Sequence, residues 1–316
     1  MQTENQDINT PNSLYRTSAS KLFEDIAQYI WDSLGERHRL NVSWGETGIT
    51  DEILYKVAAA IDRYPDIKVE LYKSFKEYRF GHDLDLFVEV ANNQYIWFAL
   101  QAKVMSHPSR EYKAILERKL KRDGSVHRDY QWRLLLRGQK AKLWSPFYLF
   151  YNGIADKHLS KKRSYGCSIV SVDDFRRHSC DENGEPFFKP AGKGLLVPSF
   201  ASYHEAPNNI AHPWHHLVLD AEEFHKQAGT RLYTYQESRA KPRYERLDKG
   251  TEVTQFLTTR VESLSGDIIP PASQQSSSDE DMLPGASHRI IISHNEDDLV
   301  HARRRKIHLL GNGDYA

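Results

Sequence analysis

The chain has 316 residues, 39% of them hydrophobic, and its 43 Lys plus Arg are balanced by 43 Asp plus Glu. That length allows one sizeable core with a small addition or tail, and the balance excludes a global basic field that would by itself advertise nucleic acid. Two cysteines, Cys167 and Cys180, exclude a disulfide framework and point to a reducing, cytoplasmic setting. No apolar run approaches ~18 residues, so no transmembrane helix is expected, and the polar start of the chain lacks the apolar region of a secretory signal.

Residues 1–17 are polar and are expected to form a flexible N-terminus. From Ser18 or Ser20 the spacing of Leu22, Phe23, Ile26, Ile30 and Leu34 predicts a helix, with Gly35 as its stop. A second helix is predicted from Thr50, as N-cap, to Tyr64, with Ile53, Leu54, Val57, Ala58 and Ile61 as its stripe and Pro65 beyond its end. Glu46 and Glu52 both lie near the start of this helix, where a carboxylate is also an ordinary partner of the helix dipole.

Residues 67–75 read as a strand. In Gly81–Val90, Leu84, Leu86, Val88 and Val90 alternate with Asp85, Phe87 and Glu89, the period of a pleated strand. Asn92-Asn93 is a turn signal, and residues 94–103 give a third, almost wholly apolar strand that ends in Gln101 and Lys103. The three strands together predict an antiparallel meander. Residues two apart on a strand share a face, so Gln101 and Lys103 point the same way, opposite Asp83 at the mouth of the neighbouring strand.

That grouping has a chemical use. A carboxylate with a second oxygen donor can hold a hard divalent cation such as Mg2+. A lysine beside it can orient or deprotonate a water, or offset charge on a phosphorane. A plain surface hairpin, with Asp83 as a turn residue and Lys103 as a solvated strand end, has the same spacing.

Further along, residues 109–122 are predicted helical through Tyr112, Ile115, Leu116 and Leu120. Another helix is predicted after Gly124, running to about Gly138 and carrying Gln131. Strands are expected at 147–151 and 167–172, the latter followed by Asp173-Asp174 as a helix cap. Residues 113–142 contain ten Lys and Arg, among them Lys113, Arg118, Arg128, Arg133, Arg137 and Lys142, which is either a solvated face or a phosphate-docking surface. His212-Pro213-Trp214-His215-His216 fits no standard metal-ligand spacing. It reads as histidines flanking a strand that takes Trp214, Leu217 and Val218 into the core. A helix is expected from Asp220. Residues 263–287, rich in Ser, Gln, Asp, Glu and Pro, read as a disordered linker between a domain at 18–262 and a short basic tail at 288–316, in which Ile290-Ile291-Ile292 could add a strand.

The motifs Gly81-His82-Asp83 and Gln101-Ala102-Lys103 resemble those of the PD-(D/E)xK, or restriction-endonuclease-like, nuclease superfamily. The likeness is closest to its Mrr and Holliday-junction-resolvase branch, in which a Gln stands where most members carry Glu or Asp. Trp44-Gly45-Glu46-Thr47-Gly48-Ile49-Thr50, Tyr112, Gln131 and Pro213-Trp214 extend the likeness over roughly residues 20–220, to a little-characterised bacterial family with this kind of fold. The resemblance implies an α/β fold: a restriction-endonuclease-like core with a central mixed sheet, antiparallel meander plus crossover strand, flanked by helices. It implies a Mg2+-dependent endonuclease acting on DNA, with Mn2+ as a substitute, a role in bacterial defence against foreign DNA, and a homodimer or higher homo-oligomer. In that reading Glu46, Asp83, Gln101 and the Ala102 carbonyl bind metal, Lys103 assists the water and Gln131 helps to position the phosphate. The alternative is an inactive nuclease-fold protein that binds nucleic acid or a protein partner.

Overall fold

The computed structural model describes residues 11–74, 82–116, 118–120, 126–155, 157–181, 198–207, 209–239, 244–246 and 288–294. The expected linker at 263–287 and the basic cluster at 303–306 lie outside these residues.

The chain opens with α1 (Pro11–Arg39) and α2 (Glu46–Ala60), followed by strands β1 (Ile67–Ser74), β2 (Leu84–Ala91) and β3 (Gln94–Val104). A small ribbon of β4 (Arg118–Leu120) and β5 (Val126–Tyr130) leads into α3 (Gln131–Lys140). Then come β6 (Ser145–Tyr151), β7 (Cys167–Ser171), α4 (Val172–Ser179), α5 (Phe200–His204), β8 (His212–Pro213), α6 (His216–Leu219), α7 (Ala221–Ala228), α8 (Tyr235–Arg239), β9 (Tyr244–Arg246) and β10 (His288–His294). Among the described residues one eight-stranded sheet runs in the order β8-β7-β6-β3-β2-β10-β1-β9.

The expected α/β architecture is present: a mixed sheet, flanked by helices on both faces. The β2–β3 hairpin is antiparallel, and β6 lies parallel to β3 after the crossover, with Lys103 opposite Phe150. Alternation along the strands divides the core in two. Ile96, Phe98, Leu100 and Ala102 of β3 pack with α1, α2, α6 and α7, whereas Tyr95, Trp97 and Ala99 pack with α3, α4 and α5. Gln101 and Lys103 continue the second set. Strands buried on both faces are what an α/β sheet with helices on either side requires.

Several local expectations differ from what forms. α1 begins at Pro11 rather than near residue 18, because its first turns are covered: Tyr15 is buried and its hydroxyl donates to the Ile292 carbonyl at 3.0 Å. The stretch 1–17 is therefore not wholly a loose terminus. α2 starts at Glu46, so Thr50 lies inside the helix and its hydroxyl donates to the Glu46 carbonyl at 3.0 Å instead of capping. Residues 118–120 and 126–130 pair with each other where the end of the first predicted helix and the start of the second were expected, and the second is helical from Gln131 onward, as α3. The apolar residues Tyr112 and Ile115 are buried, but through a short 3-10 turn at Lys113–Leu116. Trp214, Leu217 and Val218 do enter the core, but mainly on α6, after a two-residue strand.

The largest difference concerns the meander. β1 and β2 do not pair. β10 lies between them, antiparallel to β1 and parallel to β2. Residues 288–294 are thus an interior strand rather than the start of a basic tail, and Ile290, Ile291 and Ile292 are all fully buried. Local periodicity marks a short apolar run as a strand but carries no information about its partner.

Candidate functional site

Asp83 closes the hairpin at the mouth of β2, where its backbone N–H donates to the Leu100 carbonyl at 2.8 Å. This aims its carboxylate across the end of β3. Asp83 Oδ2 accepts the Ala102 backbone N–H at 2.9 Å and also the Gln101 side-chain Nε2. Gln101 Nε2 lies 3.3 Å from the Ala102 carbonyl as well. Gln101 and Lys103 are each 2% exposed, so both polar ends are held inside the protein rather than in solvent.

The N-terminus of α2 brings the fourth group. Glu46 Oε2 stands 3.5 Å from Lys103 Nζ, and Glu46 Oε1 accepts the Val104 backbone N–H at 3.4 Å. Glu52, the other carboxylate near this end, turns away: it accepts the Tyr29 hydroxyl at 2.8 Å, against α1. The tertiary contacts therefore separate two residues that their sequence positions leave equivalent. Asp83 with Gln101 and Glu46 with Lys103 form two pairs on neighbouring residues of β3 at the end of the hairpin, with Lys103 and Asp83 not on opposite faces of the sheet.

Beneath the group, Thr50 uses its proton on the Glu46 carbonyl, so the Tyr151 hydroxyl donates to Thr50 Oγ1 at 2.9 Å. Burial holds the Tyr151 phenol well above its usual range, the Cys167 thiol adds to this, and the Asp83 and Glu46 carboxylates raise it further. Tyr151 therefore stays a neutral hydroxyl under the carboxylates. Sequence reasoning does not single it out. The available signal is that it ends the strand reached by the crossover from β3, and such strands lie side by side.

Gln131 is the first residue of α3. Its Oε1 is buried without a hydrogen-bond partner, and the hydrogen bonds of the other four run among themselves without including it. The basic helix that it opens exposes Arg137 and Lys140, and Arg133 lies over the Tyr130 and Trp132 rings at 5.5 and 5.1 Å. The histidines at 212, 215 and 216 pack against one another, with His216 Nδ1 2.6 Å from Asp220.

Among the described residues no group of three or more His, Cys, Asp and Glu side chains is gathered as a metal centre. The oxygen donors here are two carboxylates, a side-chain amide and a backbone carbonyl, a set suited to a hard cation that keeps several waters. One observation bears directly on the fit: Gln101 Oε1 is buried and has no hydrogen-bond partner. A buried acceptor left unsatisfied costs ~1–3 kcal/mol, and a cation that this oxygen ligated would satisfy it, although in the structure it is Nε2 that faces Asp83 and the Ala102 carbonyl.

No helix among the described residues is long and apolar enough to cross a membrane. No curated protein and no solved structure matches the chain. One family model does, over residues 19–306, a span that includes every residue of the site and also the inserted strand β10. The chain belongs to the family of unknown function DUF6615.

Proposed function

We propose that the protein is a metal-dependent phosphodiesterase that cuts DNA, with its centre at Glu46, Asp83, Gln101 and Lys103. The observation that supports this reading is the pair of contacts Asp83–Gln101 and Glu46–Lys103, brought from α2, β2 and β3 to one end of the hairpin, with the Gln101 amide oxygen buried and lacking a partner. Asp83, Glu46, Gln101 Oε1 and the Ala102 carbonyl would hold Mg2+ or Mn2+. When bound, that ion supplies Lewis-acid polarisation of the phosphate and a more acidic water.

The chain's own groups do the rest. The Ala102 N–H and the Gln101 amide fix the Asp83 carboxylate, so one acidic ligand is oriented before substrate arrives. Lys103 is held by Glu46 at the edge of the group. There its ammonium can orient the attacking water and offset charge growing on the phosphate oxygens. Gln131 and the exposed cations of α3 are assigned to the DNA phosphates. A role against foreign DNA and assembly into a homodimer follow from the resemblance to restriction-like nucleases and form part of this proposal.

A second reading, a nuclease-fold protein that binds nucleic acid without cutting it, is favoured by one feature: Gln101 is uncharged, so the site has one carboxylate fewer than the common pattern. Incubating supercoiled plasmid with the full chain and Mg2+, Mn2+ or EDTA separates the two. Nicked or linear product with metal, lost with EDTA, supports the nuclease. DNA binding of equal strength in all three conditions, with no product, supports the binder and overturns catalysis.

A further inference from the structure

Glu46 and Thr50 are four residues apart on α2, so they share one face of the helix. That face meets the end of the sheet. Thr50 and Tyr151, the last residue of β6, are both buried. The Tyr151 hydroxyl donates to Thr50 Oγ1 at 2.9 Å, and Thr50 in turn donates to the Glu46 carbonyl at 3.0 Å. β6 runs parallel to β3 with Tyr151 opposite Val104. The bond therefore leaves the sheet beside the two groups that the Glu46 carboxylate meets, the Lys103 ammonium and the Val104 N–H.

Much of the remaining contact of α2 is different in kind. Ile49, Ile53, Leu54 and Val57 are buried apolar residues, and apolar packing is non-directional, so it permits small rotations of the helix about its axis. Two further polar ties run to other elements: Glu52 to Tyr29 on α1, and Asp51 to His288 on β10. A hydrogen bond of normal length is directional, and the one from Tyr151 acts on the same helix face as Glu46. Besides burial and the Cys167 thiol, the Asp83 and Glu46 carboxylates both raise the Tyr151 pKa, so the phenol lies near both acidic residues.

We propose that Tyr151 is a positioning residue for the site: through Thr50 it fixes the first turn of α2 in rotation, so that the Glu46 carboxylate is held where it would ligate the metal. This rests on the phosphodiesterase reading above, in which Glu46 is a metal ligand. Tyr151 itself touches neither metal nor substrate. Tyr151→Phe leaves the ring in the core, and Thr50 keeps its own bond to the Glu46 carbonyl. The substitution thus removes the tie between β6 and α2 and little else.

The test uses the full chain, metal-free and with Mn2+, carrying Tyr151→Phe or Thr50→Ser. In the metal-free protein, amide exchange read by NMR should speed up at Val104 in Tyr151→Phe, because its acceptor Glu46 Oε1 is no longer held. It should stay unchanged at Ala102, whose N–H goes to Asp83. Calorimetric titration should show Mn2+ binding weakened roughly tenfold in Tyr151→Phe. Thr50→Ser keeps a hydroxyl at that position and should retain the exchange and affinity of the unmutated chain. Exchange that speeds up equally at Val104 and Ala102 would mean a general loosening of the sheet end and overturns the positioning role. So does an unchanged Mn2+ affinity in Tyr151→Phe. If both changes appear but the unmutated chain cuts no plasmid, the positioning role stands and the phosphodiesterase reading falls. If it cuts and neither change appears, the reverse holds. An unmutated chain that binds no Mn2+ overturns both.

Discussion

Arg289 of β10 is fully buried and sets its Nη2 3.3 Å from Asp85 Oδ2 on β2, two residues from Asp83. The same carboxylate accepts the Trp97 indole N–H at 2.8 Å and lies 3.4 Å from His82 Nε2, while Arg289 Nη1 donates to the Ser238 carbonyl at 2.6 Å. One residue earlier on the same strand, His288 Nε2 is 3.1 Å from Asp51 on α2, the helix that brings Glu46. The C-terminal strand therefore contacts both elements that carry acidic residues to the site.

Removing one partner from such a pair leaves a buried charge uncompensated. Arg289→Met should cost ~3–5 kcal/mol of stability. The double variant Arg289→Met with Asp85→Asn should recover part of that loss, since it removes both charges and keeps an acceptor for Trp97. Urea denaturation of the two single variants and the double variant gives the coupling. Strictly additive losses would show that the pair is not coupled.

Asp83→Ala and Lys103→Ala should both stop cleavage, but with different effects on metal. The first removes an oxygen ligand and should weaken Mn2+ binding. The second removes a nearby positive charge, so Mn2+ binding should persist or tighten while chemistry stops. Calorimetric titration with Mn2+ beside a plasmid assay reads both. Full activity in either variant would exclude the proposed roles.

Gln101→Glu tests the orphan amide oxygen. Without metal the change replaces an N–H donor to Asp83 by a second carboxylate, and like charges in a buried place repel. The metal-free variant should therefore melt lower than the unmutated chain. With Mn2+ the added charge should tighten binding, and the melting temperature should rise more than in the parent. An equal metal-induced shift in the two proteins would count against Gln101 as a ligand.

His204 gives a pH dependence of stability away from the site. Its Nδ1 lies 2.9 Å from the Phe200 carbonyl, which can only accept, so Nδ1 carries the proton and Nε2 accepts from the Ser168 hydroxyl at 2.7 Å. Burial lowers its pKa to about 3 from an ordinary 6.5, with the nearby Lys162 ammonium adding to the shift. The unfolded chain takes up this proton before the folded one does. The contribution is thus fully present above about pH 6.5 and is lost progressively as pH falls towards 3. Urea midpoints measured between these pH values should fall less steeply for His204→Gln than for the parent. Identical slopes would show that another group is responsible.

The sequence by itself determined the hairpin and what it carries. The alternation in 84–90, the turn at Asn92-Asn93 and the pair Gln101 and Lys103 follow from a period of two, which is local and survives whatever surrounds it. It also determined that Glu46 and Glu52 were the acidic candidates on the helix before it, and that 147–151 and 167–172 were strands, which form at Ser145–Tyr151 and Cys167–Ser171. The resemblance favours Glu46 over Glu52, but which of them faces Lys103 and which faces Tyr29 depends on how α2 docks against the sheet, and that only the tertiary structure decided. Only the tertiary structure placed residues 288–294 between β1 and β2, at a separation of some two hundred residues from the strand they join. Strand pairing is made by backbone groups common to every residue, so the sequence of an apolar strand does not name its neighbour. The buried Arg289 and Asp85, each unremarkable in its own segment, have meaning only as the pair that this insertion creates.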